Sequence, residues 1–319
     1  MAGDDPGATL AESGEFAVID RLVAGRRQPP GVSLGPGDDA AVVAAADGRV
    51  AVCTDMLIQD RHFRLDWSTP YDVGRKAIAQ NAADIEAMGG RCTAFVVGFG
   101  APGDTATAQA VELADGMWHE ADLVGAGIVG GDMVSAPQWV ISVAALGDLE
   151  GRDPVRRGGA GRGDTVAVTG DLGRSEAGYT LWHNGIRGFE ALRRRHLVPE
   201  PPYGQGRAAA LAGATSMTDV SDGLLADLGH IAAASGLDVD LSWDGLHGDI
   251  DAVTDAAAAV GADPRQWVLG GGEDHALVAT FPASPPPGWR PIGRVVGVGD
   301  GRVTVDGAAW AGTPGWQSY

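Results

Sequence analysis

Lysine is almost absent from this chain. Lys76 is the single lysine among 23 basic residues, so no Gly-Lys-Ser/Thr triplet exists and a Walker A phosphate loop is excluded. Cysteine is nearly as scarce, and Cys53 and Cys92 cannot build a disulfide scaffold. No charged-then-apolar signal segment opens the sequence, so a cytoplasmic protein is expected. Basic charge is in deficit: 42 acidic residues face 23 basic ones, a net charge of -19. That balance speaks against nucleic acid or an anionic membrane as a partner. Long apolar runs are missing too, and nothing here could span a bilayer as a helix.

What is abundant is glycine, 50 of 319 residues, about twice the usual share. It recurs with no fixed period, which excludes collagen and solenoids. With 45% apolar residues the chain can fill two cores. Residues 151–164 turn to Gly and Arg with little apolar content, so the expected domains are 1–150 and 151–319.

Helix and strand signals alternate. In the first half, helices are expected from Ser13, over Thr69–Met88 with Pro70 at its first position, and over Thr105–Val124. Strands are expected at Ala40–Ala46 and Val50–Cys53, paired around Asp47-Gly48, and at Thr93–Phe99 and Trp139–Leu146. In the second half, strands are expected at Thr165–Thr169, Ser216–Val220, Ala276–Phe281, Pro291–Val296 and Val303–Val305. Helices are expected near Glu176–Trp182, Arg207–Ala212 and Gly223–Ala234. The implied class is α+β with mixed sheets.

Many acids stand at strand ends and turns beside Gly, Ser or Thr. They are Asp38-Asp39, Thr54-Asp55, Gly131-Asp132, Asp219-Val220-Ser221-Asp222-Gly223 and Gly272-Glu273-Asp274. Singly, each reads as a turn or N-cap aspartate. Together they resemble the donor set of a hard cation, Mg²⁺ or Ca²⁺, because no His/Cys ligand spacing accompanies them. Asp84 shares a helical stripe with Lys76 and Gln80, either a solvated face or a carboxylate aimed at the same cations. Mg²⁺ held by scattered carboxylates completes its shell with water and phosphates, which points to nucleotide chemistry. Gly125–Gly130 matches a dinucleotide fingerprint, but a helix precedes it and a strand follows, the reverse of the required context.

These motifs resemble those of the thiamine-monophosphate kinase family, within the ATP-using superfamily that includes aminoimidazole ribonucleotide synthetase. The matching pieces run in order along the chain: Gly37–Ala41, Thr54-Asp55 with His62-Phe63, Asn81–Asp84 to Gly89, Gly130–Asp132, Asp219–Leu224, Gly271–Asp274 and Gly315-Trp316. The resemblance implies a two-domain fold whose N-terminal domain closes a β-barrel with a second copy. It implies direct in-line transfer of the ATP γ-phosphoryl to thiamine phosphate, assisted by several Mg²⁺ ions. Residue by residue, it places Asp38 or Asp39, Thr54, Asp55, Asp84, Asp132, Asp219 and Asp222 at metal, with Asp84, Asp132 and Asp219 central to catalysis. Gly131, Asp132, Arg157 and Ser221 correspond to ATP contacts, and His62, Glu273 and one of Trp316 and Tyr319 to thiamine phosphate contacts.

The sequence departs from the family pattern in places. Cys53 stands where Ser or Thr is common, Ala83 precedes Asp84 where a hydroxyl is usual, His275 replaces Tyr, and the end reads Trp316-Gln317-Ser318-Tyr319 in place of His-Phe. The alternatives are a sister ATP-using enzyme or a non-catalytic acidic cation binder. Within the superfamily, selenophosphate synthetase and the hydrogenase-maturation dehydratase need cysteines where Cys53 and Cys92 do not fall.

Overall fold

The structure is a computed structural model and describes residues 8–36 and 40–316. Two compact units account for them, one within Met1–Ala82 and Cys92–Gly151, the other within Ala83–Arg91 and Arg152–Tyr319. Residues 83–91 group with the second unit, an excursion that composition does not signal.

The first unit holds α1 (Leu10–Ser13), α2 (Glu15–Val23), β1 (Val32–Leu34), β2 (Val42–Val43), β3 (Ala51–Ile58), α3 (Pro70–Ala87, through Ala82), β4 (Arg91–Ala101), α4 (Thr107–Leu123), β5 (Gly127–Ser135) and β6 (Val140–Asp148). β1 pairs with β2, and a four-stranded sheet runs β3-β6-β4-β5. The expected hairpin around Asp47-Gly48 does not form. β2 turns to β1, and β3 aligns with β6 over eight residue pairs, Ala51–Gly147 to Ile58–Val140. The longer ladder wins because it also buries Leu57, Ile141, Val143 and Ala145 on one face. The other face stays open in the single chain, with Val52 69% and Met56 50% exposed.

α3 begins as its sequence dictates. Pro70 follows Thr69, whose hydroxyl accepts the Asp72 N–H (3.2 Å) while the Asp72 carboxylate accepts the Thr69 N–H (3.2 Å). α3 and α4 meet backbone to backbone at two glycines. A Cβ on Gly74 would fall on the Leu113 carbonyl oxygen, and one on Gly116 on that of Tyr71.

The second unit is built on β7 (Thr165–Thr169), β8 (Ser216–Val220), β9 (Leu237–Leu241), β10 (Ala276–Phe281), β11 (Arg290–Val298), β12 (Val303–Val305) and β13 (Ala308–Ala309), ordered β13-β12-β9-β11-β7-β10-β8. Only the β12–β9 pairing is parallel among these strands, so the sheet is mixed. Its helices are α5 (Arg174–His183), α6 (Glu190–Leu197), α7 (Gln205–Leu211), α8 (Leu224–Ser235), α9 (Trp243–Val260) and α10 (Pro264–Gly270). Successive residues of β7 and β10 feed two cores: Val166, Val168 and Val278 join one with Leu228 and Val253, while Ala167, Leu277 and Phe281 join the other with Ala209 and Trp289. Covered on both faces, these strands read as nearly continuous apolar runs. No helix among the described residues is long and apolar enough to cross a membrane.

The glycine crossing is testable. Gly74→Ala or Gly116→Ala should cost about 2–3 kcal/mol, since backbone must move to admit the methyl group. Gly229→Ala, whose new Cβ meets nothing within 4 Å, should instead be neutral or stabilising by up to about 1 kcal/mol. Chemical denaturation of the three variants measures the contrast, and equal midpoints would refute it.

Candidate active site

In the second unit the buried strand β8 runs into Ser221-Asp222-Gly223 and turns there into α8. The turn requires glycine: Gly223 has φ +125°, and a Cβ would strike the Gly270 backbone. Asp219, 3% exposed, has its Oδ2 3.0 Å from Nδ1 of His275. Asp227 reaches back from the first turn of α8, its Oδ2 accepting the N–H groups of Asp222 (3.0 Å) and Gly223 (3.1 Å). A carboxylate thus satisfies donors at a helix start, a favourable place for negative charge. Three acids in one turn nevertheless repel. Burial, then the charge of Asp219, pushes Asp227 up to about 7. Burial and Asp219 raise Asp222 as well, while His230, His275 and Arg157 pull it down.

The segment Gly271–His275 is stapled onto this turn. The Glu273 and His275 N–H groups donate to the carbonyls of Ser221 (2.7 Å) and Val220 (2.9 Å). Both residues are left-handed, with φ 62° and 53°, a conformation costing about 1 kcal/mol or more unless packing enforces it. Asp274 between them supplies the clamp. It is buried and accepts the N–H groups of Gly173 (2.5 Å) and Ser175 (2.8 Å) where α5 begins. That burial pushes its carboxyl up to about 7. Glu273 Oε2 lies 3.4 Å from His196 Nδ1, and burial, followed by the charge of Glu273, raises Glu176. Burial alone would lower His275, but the hydrogen bond and charge of Asp219, with the charges of Glu273 and Asp84, raise it.

The tail crosses the same turn. The Trp316 N–H donates to the Asp222 carbonyl (2.8 Å), and Pro314 accepts from the Ala226 N–H (3.2 Å). Gly315 between them has no room for a side chain, since a Cβ would sit 2.6 Å from both Ala226 and the Asp222 oxygen. Trp316 is 59% exposed. Trp310, by contrast, packs edge-on against Trp243.

In the first unit Thr54 and Asp55 lie on β3. The Thr54 hydroxyl donates to the Val143 carbonyl (2.9 Å). The Asp55 N–H donates to Oδ1 of Asn81 (2.9 Å), a fully buried side chain whose Nδ2 donates to Ala77 (2.9 Å). Asn81 therefore fixes where the Thr54-Asp55 backbone sits, a role that its place in a motif did not disclose. The Cys53 thiol sits 3.5 Å from the Asn81 carbonyl oxygen. Gly131 and Asp132 are exposed on β5, paired with Val97 and Gly98, and Asp132 Oδ1 accepts the Met133 N–H (2.9 Å). His62 Nδ1 accepts the Ile58 N–H (3.0 Å).

The second unit thus brings together Asp84, Arg157, Asp219, Ser221, Asp222, Glu273 and Trp316 around the β8–α8 turn. In the first unit β3 and β5 are opposite edges of the sheet, so three strand spacings, about 14 Å, separate Asp55 from Asp132. Asp38, Asp39 and Tyr319 lie outside the described residues. The stripe Lys76–Gln80 is not a solvated face, for both side chains are buried. Gly127–Ser135 is a strand after α4, so the glycine fingerprint opens no helix. Among the described residues no three His, Cys, Asp or Glu side chains form a ready-made metal cage. The donor chemistry still fits Mg²⁺, which is commonly held by one or two carboxylates with substrate phosphates.

Asp227 gives the turn a pH signature. The folded chain retains a proton that the unfolded one, at the ordinary value of 3.8, has already released. Its contribution to stability is therefore full below about pH 4 and lost as pH rises through about 7. Asp227→Asn keeps an oxygen for both N–H groups and removes that loss. Thermal melts should show the variant gaining on wild type between pH 5 and 8 by roughly 1–3 kcal/mol, and a flat difference would refute the assignment.

Comparison with known proteins places this architecture. A family model described as AIR synthase related protein, N-terminal domain, matches residues 37–149. Thiamine-monophosphate kinase of Mycobacterium tuberculosis (strain ATCC 25618 / H37Rv) is 68% identical over 319 residues, covering all of this chain and 95% of that protein. The enzyme of that name from Corynebacterium glutamicum is 41% identical, covering 98% of this chain and 96% of its own. Among solved structures, AaThiL complexed with AMPPCP and TMP superposes with a TM-score of 0.76 at 29% identity, covering 98% of this chain and 99% of that one. With identity this high along the whole length, the chain belongs to the thiamine-monophosphate kinase family.

Proposed function

We propose that this protein transfers the γ-phosphoryl group of ATP to thiamine phosphate, giving thiamine diphosphate and ADP. The observation that carries the reading is the 68% identity, over the full chain, to a thiamine-monophosphate kinase. AMPPCP and TMP together in a related structure agree with two phosphate-bearing substrates. In the reaction an oxygen of thiamine phosphate attacks the γ-phosphorus, a new P–O bond forms, and the bond to the β-phosphate oxygen breaks. A loose transition state of this kind asks for alignment and charge neutralisation, and no enzyme nucleophile is needed.

Thr54, Asp55 and Asp132 in the first unit, and Asp84, Asp219 and Asp222 in the second, would hold Mg²⁺, with Asp38 or Asp39 as a further ligand. Bound there, Mg²⁺ supplies positive charge between two polyanions. The repulsion among Asp219, Asp222 and Asp227 supports this, because a dication would relieve it. Gly131 and Ser221 would meet ATP, with Arg157 adding a cation near Asp222. His62 would donate its Nε2–H to thiamine phosphate, since Nδ1 is already an acceptor. Glu273 and an aromatic ring, either the exposed Trp316 or Tyr319, which lies outside the described residues, would take the cationic thiazolium end. We place this activity in the cytoplasm, where two free cysteines are at home.

A kinase assay offering thiamine phosphate, thiamine and aminoimidazole ribonucleotide precursors side by side tests the reading. Turnover with thiamine phosphate alone is expected, and turnover only with another acceptor would sink it. Asp132→Asn and Asp219→Asn should each lower kcat by roughly 10²-fold or more. Mg²⁺ should raise the melting temperature of wild type more than that of Asp219→Asn. Near-normal rates in both variants would remove the metal-holding role.

We also propose a homodimer, with the first unit as its pairing domain. The open face of β3, carrying Val52 and Met56, is continuous with exposed Val96 of β4 and Val134 of β5. Two edge strands separated by about 14 Å could each find a partner edge in a second copy and close a barrel. Light scattering at micromolar concentration should report twice the mass of one chain. A monomer with full activity would refute it.

A further inference from the structure

The chain's one lysine is buried. Lys76, on α3, is 2% exposed, and its Nζ donates to the carbonyl oxygen of His62 (2.9 Å). An ammonium taken out of water is unfavourable unless its partners compensate, and methionine would fill similar volume without that cost. Every other basic position among the 23 is arginine. A compact ammonium on a straight stem reaches a backbone carbonyl in a tight interior more readily than the five-donor fork of arginine.

The carbonyl it grips belongs to a short, closed turn. Asp60 is left-handed at φ 63°, and its N–H donates to the Phe63 carbonyl (2.7 Å). The His62 N–H donates to the Ile58 carbonyl (2.9 Å), and the Ile58 N–H returns to His62 Nδ1 (3.0 Å). The next residue, Phe63, is buried beside Trp139. A backbone N–H can only donate, so Nδ1 is an acceptor and the ring proton sits on Nε2. Ring, peptide and tautomer of His62 are therefore set by this turn. Its backbone at His62 is held from α3 by the Lys76 side chain.

We propose that Lys76 is a positioning residue, holding the His62 turn so that the imidazole presents Nε2–H to the phosphate of the acceptor substrate. The proposal rests on His62 contacting thiamine phosphate, as read above. It makes Lys76 act through His62 and leaves ATP binding untouched.

The experiment is a double-mutant cycle of Lys76→Met and His62→Ala, reading KM for each substrate and kcat. Each single variant should raise KM for thiamine phosphate roughly tenfold, the scale of one charge-assisted hydrogen bond, with KM for ATP unchanged. The double variant should be no worse than either single. Additive effects, or equal rises in both KM values, overturn the proposal. Should Lys76→Met fail to fold, wild type supplies the reading. Protein labelled with ¹⁵N at the lysine ammonium contains a single such resonance. That signal should shift on His62→Ala and on adding thiamine phosphate, but not on adding ATP alone. A signal indifferent to both overturns the proposal. If wild type does not phosphorylate thiamine phosphate, the functional reading itself fails, visibly and before any variant is compared. The response of the lysine signal to His62→Ala then still decides whether the two residues are coupled.

Discussion

Like charges held in a small volume are the constraint around which the second unit is arranged. Asp219 at the end of β8, Asp222 in the turn and Asp227 at the start of α8 crowd together, and the burial of Asp219 and Asp227 removes much of the water that would screen their repulsion. Each surrounding feature answers that problem in part. Asp227 spends its charge on two backbone donors, His275 stands against Asp219, and Arg157 and His230 lower the potential at Asp222. To put His275 there the chain accepts two left-handed residues, and to keep those it buries Asp274 over the start of α5. A turn built only for stability would carry Asn or Ser. Repulsion retained at this cost is what the proposed Mg²⁺ would relieve.

The first unit solves a different problem by simpler means. Its acids sit on or beside strands, and what must be fixed there is backbone. Asn81 bonds the Asp55 amide, Thr54 bonds Val143, and the turn after β3 closes on His62. The helices behind the sheet approach so closely that two glycines replace side-chain packing, so α3 is seated against α4 without slack. Rigid elements then carry the polar groups.

Much of this was legible in the chain itself, for identifiable reasons. β7, β10 and β12 are short runs rich in Val, Ala and Thr, β8 is a short segment ahead of Ser221-Asp222-Gly223, and all four appear where expected. α3 declares itself through Thr69-Pro70 and Asp72. Asp219 and Asp222 stand out because Thr218, Ser221 and Gly223 lie beside them. Other parts gave little local signal. β9 and the 18-residue α9 carry weak signals: alanines dominate the end of α9, and only Ser242 and Gly261 mark its limits. The pairing of β3 with β6 spans some ninety residues, and turn chemistry at Asp47-Gly48 suggested a nearer partner. The supporting roles are hidden for the same reason, even though Asn81, Asp274 and Lys76 stand in recognisable motifs. Asn81, Asp227, Asp274 and Lys76 act on backbone groups distant in sequence or set by three-dimensional turns, and no spacing rule encodes a carbonyl.

The tail and the acidic turn share an atom. The Asp222 carbonyl is the acceptor for Trp316, and Gly315 between them has no room to give. Order in one is therefore thermodynamically linked to order in the other, and linkage runs equally in both directions. Whatever settles the tail tightens the turn by the same factor that settling the turn tightens the tail. A molecule gripping both the carboxylates and the exposed tryptophan gains this coupling. One that reaches only the carboxylates, or only the ring, does not. On the substrate role proposed for Trp316, discrimination against fragments of the substrate would rest on the bonds that tie the tail to this turn.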